Sequence, residues 1–582
     1  REDGTIVTHR DGVVKHHVAA LATIRTVGAR AAERVSDFLG FRQWAVADAR
    51  KGPMRAVVLV PGVDSARTGD LVATLVRQGI EVRRTTGFAS TRAHPYADGA
   101  PAPRRFTTAY VIDLAQPQGK LAKALLEPNP VLDPVFAKTQ RDKWARNQRR
   151  GKGEATEDYE FYDITAWSLP IAFGVEAWWT EDAPTGGELV RLPEGEPRPD
   201  GRVAALAPTG GVVGGVRATS AYLVSPERID AYRYAIALGR AGVTAAIATE
   251  PLDAGGRSWP KGTIVVRVTR NDTTVHRVVA EAAAATGVDV VPVNSAFPST
   301  GGQFGLGSGT LAPFVAPKVA VLADRGVAQT SYGATWWSLE RRFGLPFTAV
   351  SIPRLGGVLP NVNVLIVPDA SPGALAQQLG KSGADRIKEW VRQGGVLVTF
   401  GDATAWAADA EFTTAKGKDG SEKSEKPAGD SARAPKGGAV AATGGTSPTA
   451  EMGPAASPSA SPDAPQPIPG LLADVLLDRT HWLATGAESQ RLTALFAGDL
   501  YLAPSKEGSN VGTWAPTGTL VRAGFVFDGN TEKLLRGATF LVAERHGRGA
   551  YVGFNADPLF RGWWRSLDRL VLNAIVLGPS LR

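Results

Sequence analysis

The chain has 582 residues, enough for about four domains at roughly 150 residues each, and with 43% hydrophobic and 21% charged residues most of it can bury cores. Lys and Arg number 65 against 57 Asp and Glu, and a net charge of +8 over this length argues for neither nucleic acid nor a membrane surface as partner. There is no cysteine, which excludes disulfide scaffolds, CxxC zinc sites, iron–sulfur clusters and a thiol nucleophile, and no apolar run is long enough to span a membrane.

The chain opens on REDGTIVTHR, with no Met and no apolar leader, and reads as the continuation of a longer protein or as a processed product. Residues 13–40 predict an amphipathic helix, because Val14, Val18, Leu21, Ile24, Ala31, Val35 and Phe38 recur mostly at spacings of three and four. Its packing partner is expected upstream. AVVLVPG at 56–62 predicts a buried parallel strand, followed by a helix to about residue 78 and a strand at 80–86. A strand at 106–114 and a helix at 120–126 extend the alternation, which favours an α/β layer with a parallel sheet.

The alternation returns at 221–224, 229–240, 261–268 and 275–286. LVRQGIEV at 75–82 lines up with LGRAGVTA at 238–245, so this block is either a duplicate or a generic strand–helix likeness. A third block has strands at 317–324, 363–370 and 395–402, and helices at 334–343 and 384–394. Residues 411–468 hold almost no large apolar side chain and predict a flexible, disordered insertion. Strands 395–402 and 550–554 are expected to share one sheet split by that insertion, and a helix at 567–577 closes the chain. The expected divisions are 1–46, 52–185, 186–312 and 313–582. The expected class is α/β, with several strand–helix repeat domains and mostly parallel sheets.

No HxxE, HxH or HExxH is present, and adjacent His16 and His17 diverge on a helix, so the seven histidines predict no zinc site. There is no GxSxG elbow. The glycine-rich GGQFGLGSGT (Gly301, Gly302, Gly305, Gly307, Gly309) lacks the flanking strand and helix of a phosphate cradle. The basic run from Lys138 to Lys152 has only Trp144 among it and reads as a solvated face. Paired tryptophans such as Trp336-Trp337 and Trp563-Trp564 read as core or cleft-wall residues. In open parallel sheets ligands sit beyond the carboxyl ends of strands. Those ends carry Asp369, Asp402 and Asp557, with Arg561 close behind and Ser331, Tyr332 and Trp336 near the start of a helix. These seven residues form the candidate ligand cleft. The alternative is that the aspartates cap helices and Arg561 pairs with one of them.

Several long phrases resemble the region downstream of the catalytic domain in large bacterial zinc carboxypeptidases of the M14 type. They are QPQGKLAKALLEPNPVLDPVF at 116–136, EFYDITAWSLPIAFGVEA at 160–177 and the third block. That block, with VLIVPDA, IKEWVRQGGVLVTFGDATAW and FNADPLFRGWW, resembles a class I glutamine-amidotransferase-like, flavodoxin-like domain. The helix at 13–40 resembles the last helix of the peptidase domain. The resemblance implies a secreted or periplasmic peptide hydrolase as parent. Its zinc, zinc ligands and general base would lie upstream of this chain, and its partners would be the upstream peptidase domain and the peptide substrate. It implies no catalytic residue and no cofactor here, because the elbow after strand 395–402 reads GDATAW and lacks the glutaminase cysteine. The region then acts as an accessory part of that enzyme or as a non-catalytic binding or scaffold module.

Overall fold

A computed structural model of the chain describes residues 6–150, 155–192, 206–298, 301, 304–418 and 463–581. Most of the expected 411–468 insertion, as well as Lys152 and Gly302, lies outside the described residues. The chain forms two compact units. One comprises Arg1–Leu59, Leu75–Leu125 and Ala177–Arg191, and the other Val60–Thr74, Leu126–Glu176 and Leu192–Arg582. Residues 60–74 and 126–176 therefore group with the C-terminal part, apart from the rest of the expected 52–185 block.

The first unit begins with helices α1 (His9–Ala29) and α2 (Ala31–Ala49). The Thr8 hydroxyl accepts from the Asp11 amide, and the Asp11 carboxylate accepts from the Thr8 amide, so a reciprocal cap starts α1. The single helix expected over 13–40 is thus longer and bends at Arg30, while the backbone ladder runs on through Arg30 N–H to Thr26 and Arg34 N–H to Arg30. Among the described residues, the side-chain bonds of α2 to the rest of the unit lie in its second half. Arg42 donates to the Pro117 carbonyl at 3.0 Å and to Gln118, and Lys120 pairs with Asp48.

The sheet of this unit has seven strands, in the order Ala102–Phe106, Phe88–Pro95, Glu176–Thr180, Ala56–Val60, Ala109–Asp113, Arg83–Thr85, Glu188–Leu189. The 56–60 strand pairs antiparallel with 109–113, and the 88–95 strand pairs antiparallel with both of its neighbours. This corrects the parallel expectation. A continuous apolar run reports burial of both faces and says nothing of strand direction. The stretch 88–106, for which no element was expected before residue 106, supplies a hairpin of two antiparallel strands.

In the second unit, residues 211–313 form a six-stranded sheet. Its strand Ala221–Val224 pairs antiparallel with both Ile264–Arg267 and Asp289–Val293. This block shares a pattern with the first sheet. In each, an apolar strand leads into a helix, and its antiparallel partner strand leads into another (Gly119–Leu126 and Val275–Thr286).

The third block contains five parallel strands. They are β1 (Val319–Leu322), β2 (Phe347–Val350), β3 (Val364–Val367), β4 (Val396–Phe400) and β5 (Gly549–Phe554). Between them run α3 (Gln329–Trp336), α4 (Pro372–Arg392) and α5 (Ala403–Asp409). The parallel order is β2-β1-β3-β4-β5. β4 and β5 pair in register from Val396↔Ala550 to Phe400↔Phe554, so the two strands do share one sheet across the long intervening segment. Beyond β5 the ten-stranded sheet continues antiparallel, through Thr539–His546, Ser509–Trp514, Ile468–Leu477 and Arg491–Gly498. The chain is α/β with mixed and largely antiparallel sheets, and parallel pairing is concentrated in this block.

The closing helix, Asp568–Leu572 continued by Asn573–Leu577, is buried along its whole length. Its polar side chains meet partners from distant parts of the same unit, although Asp568 Oδ1 finds no hydrogen-bond partner among the described residues. Asp568 pairs with Arg342 at 2.7 Å. Arg569 reaches Asp64 at 3.4 Å and donates to the carbonyls of Pro226 and Glu227. Asn573 donates to the Leu483 and Thr485 carbonyls and bonds the Tyr232 hydroxyl. Removing one partner of a buried pair leaves the other charge uncompensated. Arg569→Ala is therefore expected to lower the stability of this unit by about 3–5 kcal/mol in urea denaturation. Substitution of the exposed Arg277, paired only with Glu281 on its own helix, is expected to change stability by less than about 1 kcal/mol.

Candidate functional site

Asp369, Asp402 and Asp557 follow β3, β4 and β5, at the carboxyl ends of three adjacent parallel strands, as the sequence predicts. The turn after β4 is tight. Gly401 has φ +53°, and a Cβ there would lie 2.5 Å from Asp369 Oδ1. That closeness lets the Asp402 amide donate to Asp369 Oδ1 at 2.8 Å. Beneath the turn, Thr404 donates to the Phe554 carbonyl and bonds Thr399, which bonds the Tyr551 hydroxyl. Ser331, buried on α3, accepts from the Asp369 amide at 3.1 Å and hydrogen-bonds the Asp557 carboxylate.

The electrostatics of this cluster follow from its lack of cations. Among the described residues no Lys or Arg pairs with any of the three carboxylates. Burial pushes Asp557 up to about 6, with repulsion from Asp369 adding to it. Burial also raises Asp369, while the amides of Asp402 and Ala370 oppose the rise. Asp402 is driven toward about 7 by burial and by repulsion from Asp369 and Asp499, but it lies at the surface, where water screens it. Asp499, itself raised by burial, is a member of the cluster that sequence reasoning missed. It follows an antiparallel strand, and no pattern ties it to the parallel ones.

The remaining predicted residues lie elsewhere. Tyr332 packs edge-on against Phe347 with centroids 6.3 Å apart. Trp336 is 36% exposed and donates to Glu340 Oε2 at 2.7 Å. Arg561 pairs with none of the three aspartates. Its guanidinium is held end-on by Asp163, at 3.0 and 2.7 Å, from a segment 398 residues earlier. Asp402 precedes α5 but caps it through no side-chain bond. The predicted cleft thus divides into a carboxyl cluster, with Asp369 and Asp557 half-buried and Asp402 exposed, and a separate groove.

Helix periodicity makes that division. Ser331, Thr335 and Ser338 turn inward and are buried, while Thr330, Gly333, Ala334 and Trp337 face a groove of about 400 Å³. Its other wall is Arg561, Gly562 and Trp563. Trp337 and Trp563 carry the wall that the tryptophan pairs predicted.

Other candidate motifs resolve into structure. In the basic run, Lys138 pairs with Asp142, Lys143 with Glu160, Arg141 with Asp528, and Arg146 and Arg150 with Glu157. The glycine-rich segment leads into the strand Leu311–Pro313, not into a helix. His481 is pushed down to about 4 by burial and accepts from the Leu483 amide. Among the described residues no group of three or more His, Asp or Glu is arranged to hold a metal ion, and no helix is long and apolar enough to cross a membrane.

No protein-family model and no curated protein matches the chain. Solved structures align over less than half of it. An exo-β-1,4-mannosidase, Op5Man5 from Opitutaceae bacterium strain TAV5, is 12% identical over 45% of this chain, with TM-score 0.25, and the chain spans only 36% of its length. The cytoplasmic protein STM3548 from Salmonella typhimurium is 13% identical over 44% of this chain and 98% of its own, with TM-score 0.26. A β-galactosidase from Bacillus circulans sp. alkalophilus is 11% identical over 44% of this chain and 31% of its own, with TM-score 0.23.

Two outcomes are expected. Below about pH 4 Asp557 is protonated folded and unfolded alike. As pH rises from about 4 through 6 the unfolded chain ionises before the half-buried folded carboxyl does, so its contribution to stability is lost. Asp557→Asn is expected to flatten this fall in a urea series from pH 4 to 8, and to be more stable than the parent at pH 8 by about 3 kcal/mol. Gly401→Ala is expected to destabilise by about 1–3 kcal/mol, through its positive φ and the clash with Asp369.

Proposed function

We propose that this chain is a non-catalytic accessory region of a larger, secreted or periplasmic zinc carboxypeptidase of the M14 type. Its amidotransferase-like block serves as a scaffold, and zinc, catalytic residues and peptide substrate belong to an upstream peptidase domain. The observation that carries the reading is the exposure of α1 and α2. No side chain of α1 is buried, and Ala45 alone is buried in α2. Val18, Ile24, Val35, Phe38, Leu39 and Trp44 are each more than half exposed. Isolated helices with so much uncovered apolar surface mark an interaction face. A peptidase body seated there would bury that face.

Two features support the scaffold half. The order β2-β1-β3-β4-β5 agrees with the flavodoxin-like order, in which the turn after a central strand is a natural place for a nucleophile. Here that turn holds Gly401 and Asp402. Asp402 takes the place a thiol would need and can form no thioester with glutamine. The carboxyl cluster has no cation, among the described residues, to hold an anionic intermediate.

The test begins with the coding sequence upstream of Arg1. The expected result is a continuous frame carrying HxxE, a spaced His and a late Glu. The peptidase part so defined should then bind this chain in a sedimentation or pull-down assay, and Leu21→Asp with Ile24→Asp should weaken that binding without lowering the melting temperature of the chain. A frame without those ligands, or binding indifferent to both substitutions, would refute the accessory reading.

A further inference from the structure

We infer that the groove between α3 and the 561–563 turn is a binding site for a neutral pyranose sugar. The first argument is Gly333. It lies inside a helix, where glycine is less stable than alanine. Yet a Cβ at 333 would meet no atom within 4 Å, so packing does not require glycine. What a side chain there would fill is the groove itself.

The second argument is the opposite wall. Arg561 has φ +50° and is followed by Gly562 at φ +71°. A non-glycine residue in this conformation is strained, and such strain persists where surrounding contacts enforce it. The enforcing contact is the two-point ion pair with Asp163. A Cβ on Gly562 would sit 3.3 Å from Trp337 Cε3, so glycine lets the indole lie against bare backbone. The floor and one edge are therefore free of side chains, and Trp337 and Trp563 stand as the apolar walls.

The chemistry of the lining selects the ligand class. The Asp163 carboxylate neutralises Arg561, which disfavours a second anion. The ion pair occupies Nη1 and Nη2, and Arg561 Nε–H makes no hydrogen bond among the described residues. It can donate to a hydroxyl, as can Thr330. An indole face carries negative potential and attracts electropositive groups. The C–H face of a pyranose is such a group, whereas the face of an aromatic ring is not. The groove opens to solvent, so its ligand needs one apolar face and a polar rim. Its volume of about 400 Å³ falls in the range of small-ligand sites.

The test titrates the full chain with methyl glucoside, methyl mannoside and methyl galactoside, followed by tryptophan fluorescence and melting temperature. N-acetyl-tryptophanamide serves as the aromatic comparison. At least one pyranoside is expected to bind in the millimolar range. Gly333→Leu, which fills the groove without touching packed atoms, is expected to weaken binding roughly tenfold or more while the melting temperature without sugar stays at or above that of the parent. Trp563→Ala should weaken it comparably. Binding of none of the sugars, binding of the tryptophan amide alone, or sugar binding unchanged in both variants would each overturn the proposal. None of these outcomes bears on the face presented by α1 and α2.

Discussion

The C-terminal unit depends on a polar helix being buried without leaving a charge alone. Asp568, Arg569 and Asn573 lie within six residues, and all are buried. Each finds its partner in a different part of the chain, at 342, at 64 and 226–227, and at 232 and 483–485. The apolar residues between them, from Leu570 to Leu577, supply the hydrophobic drive. The polar ones bias the arrangement, because each gains its partner only in this docking.

A helix with two distinct faces also organises the candidate site. α3 turns Ser331 toward the carboxyl cluster and Gly333 toward the groove, and Trp337, just past its end, joins the groove side. The cluster and the groove are therefore different chemical environments served by different residues of one helix. Beneath α3, carboxyls crowd together and hold protons above the usual range. Above it, Arg561 is neutralised by Asp163 and the surface is largely indole and bare backbone.

Much of this was legible from residue order, where spacing alone carries the information. The closing helix followed from the spacing of Leu570, Val571, Ala574 and Ile575. The strand-end aspartates followed from the apolar runs before them, and the expectation that β4 and β5 share a sheet across the 411–468 segment agrees with their pairing. The partner of Arg561 was not legible. Asp163 lies 398 residues away in a segment with no regular structure, and nothing in its neighbours marks it. Asp499 was missed for a similar reason, since it joins the cluster from the antiparallel half of the sheet.

The sequence by itself determined which segments are apolar enough to be buried and that no cysteine chemistry is possible here. These are local properties, set by each residue and its near neighbours. Tertiary structure alone decided strand direction, the split of the predicted cleft and the pairing of charges. The run 56–60 looks the same to its own residues whether its neighbour runs parallel or antiparallel, and 109–113 makes it antiparallel. Direction, and the company a charge keeps, depend on where distant segments return, and local composition does not encode that return.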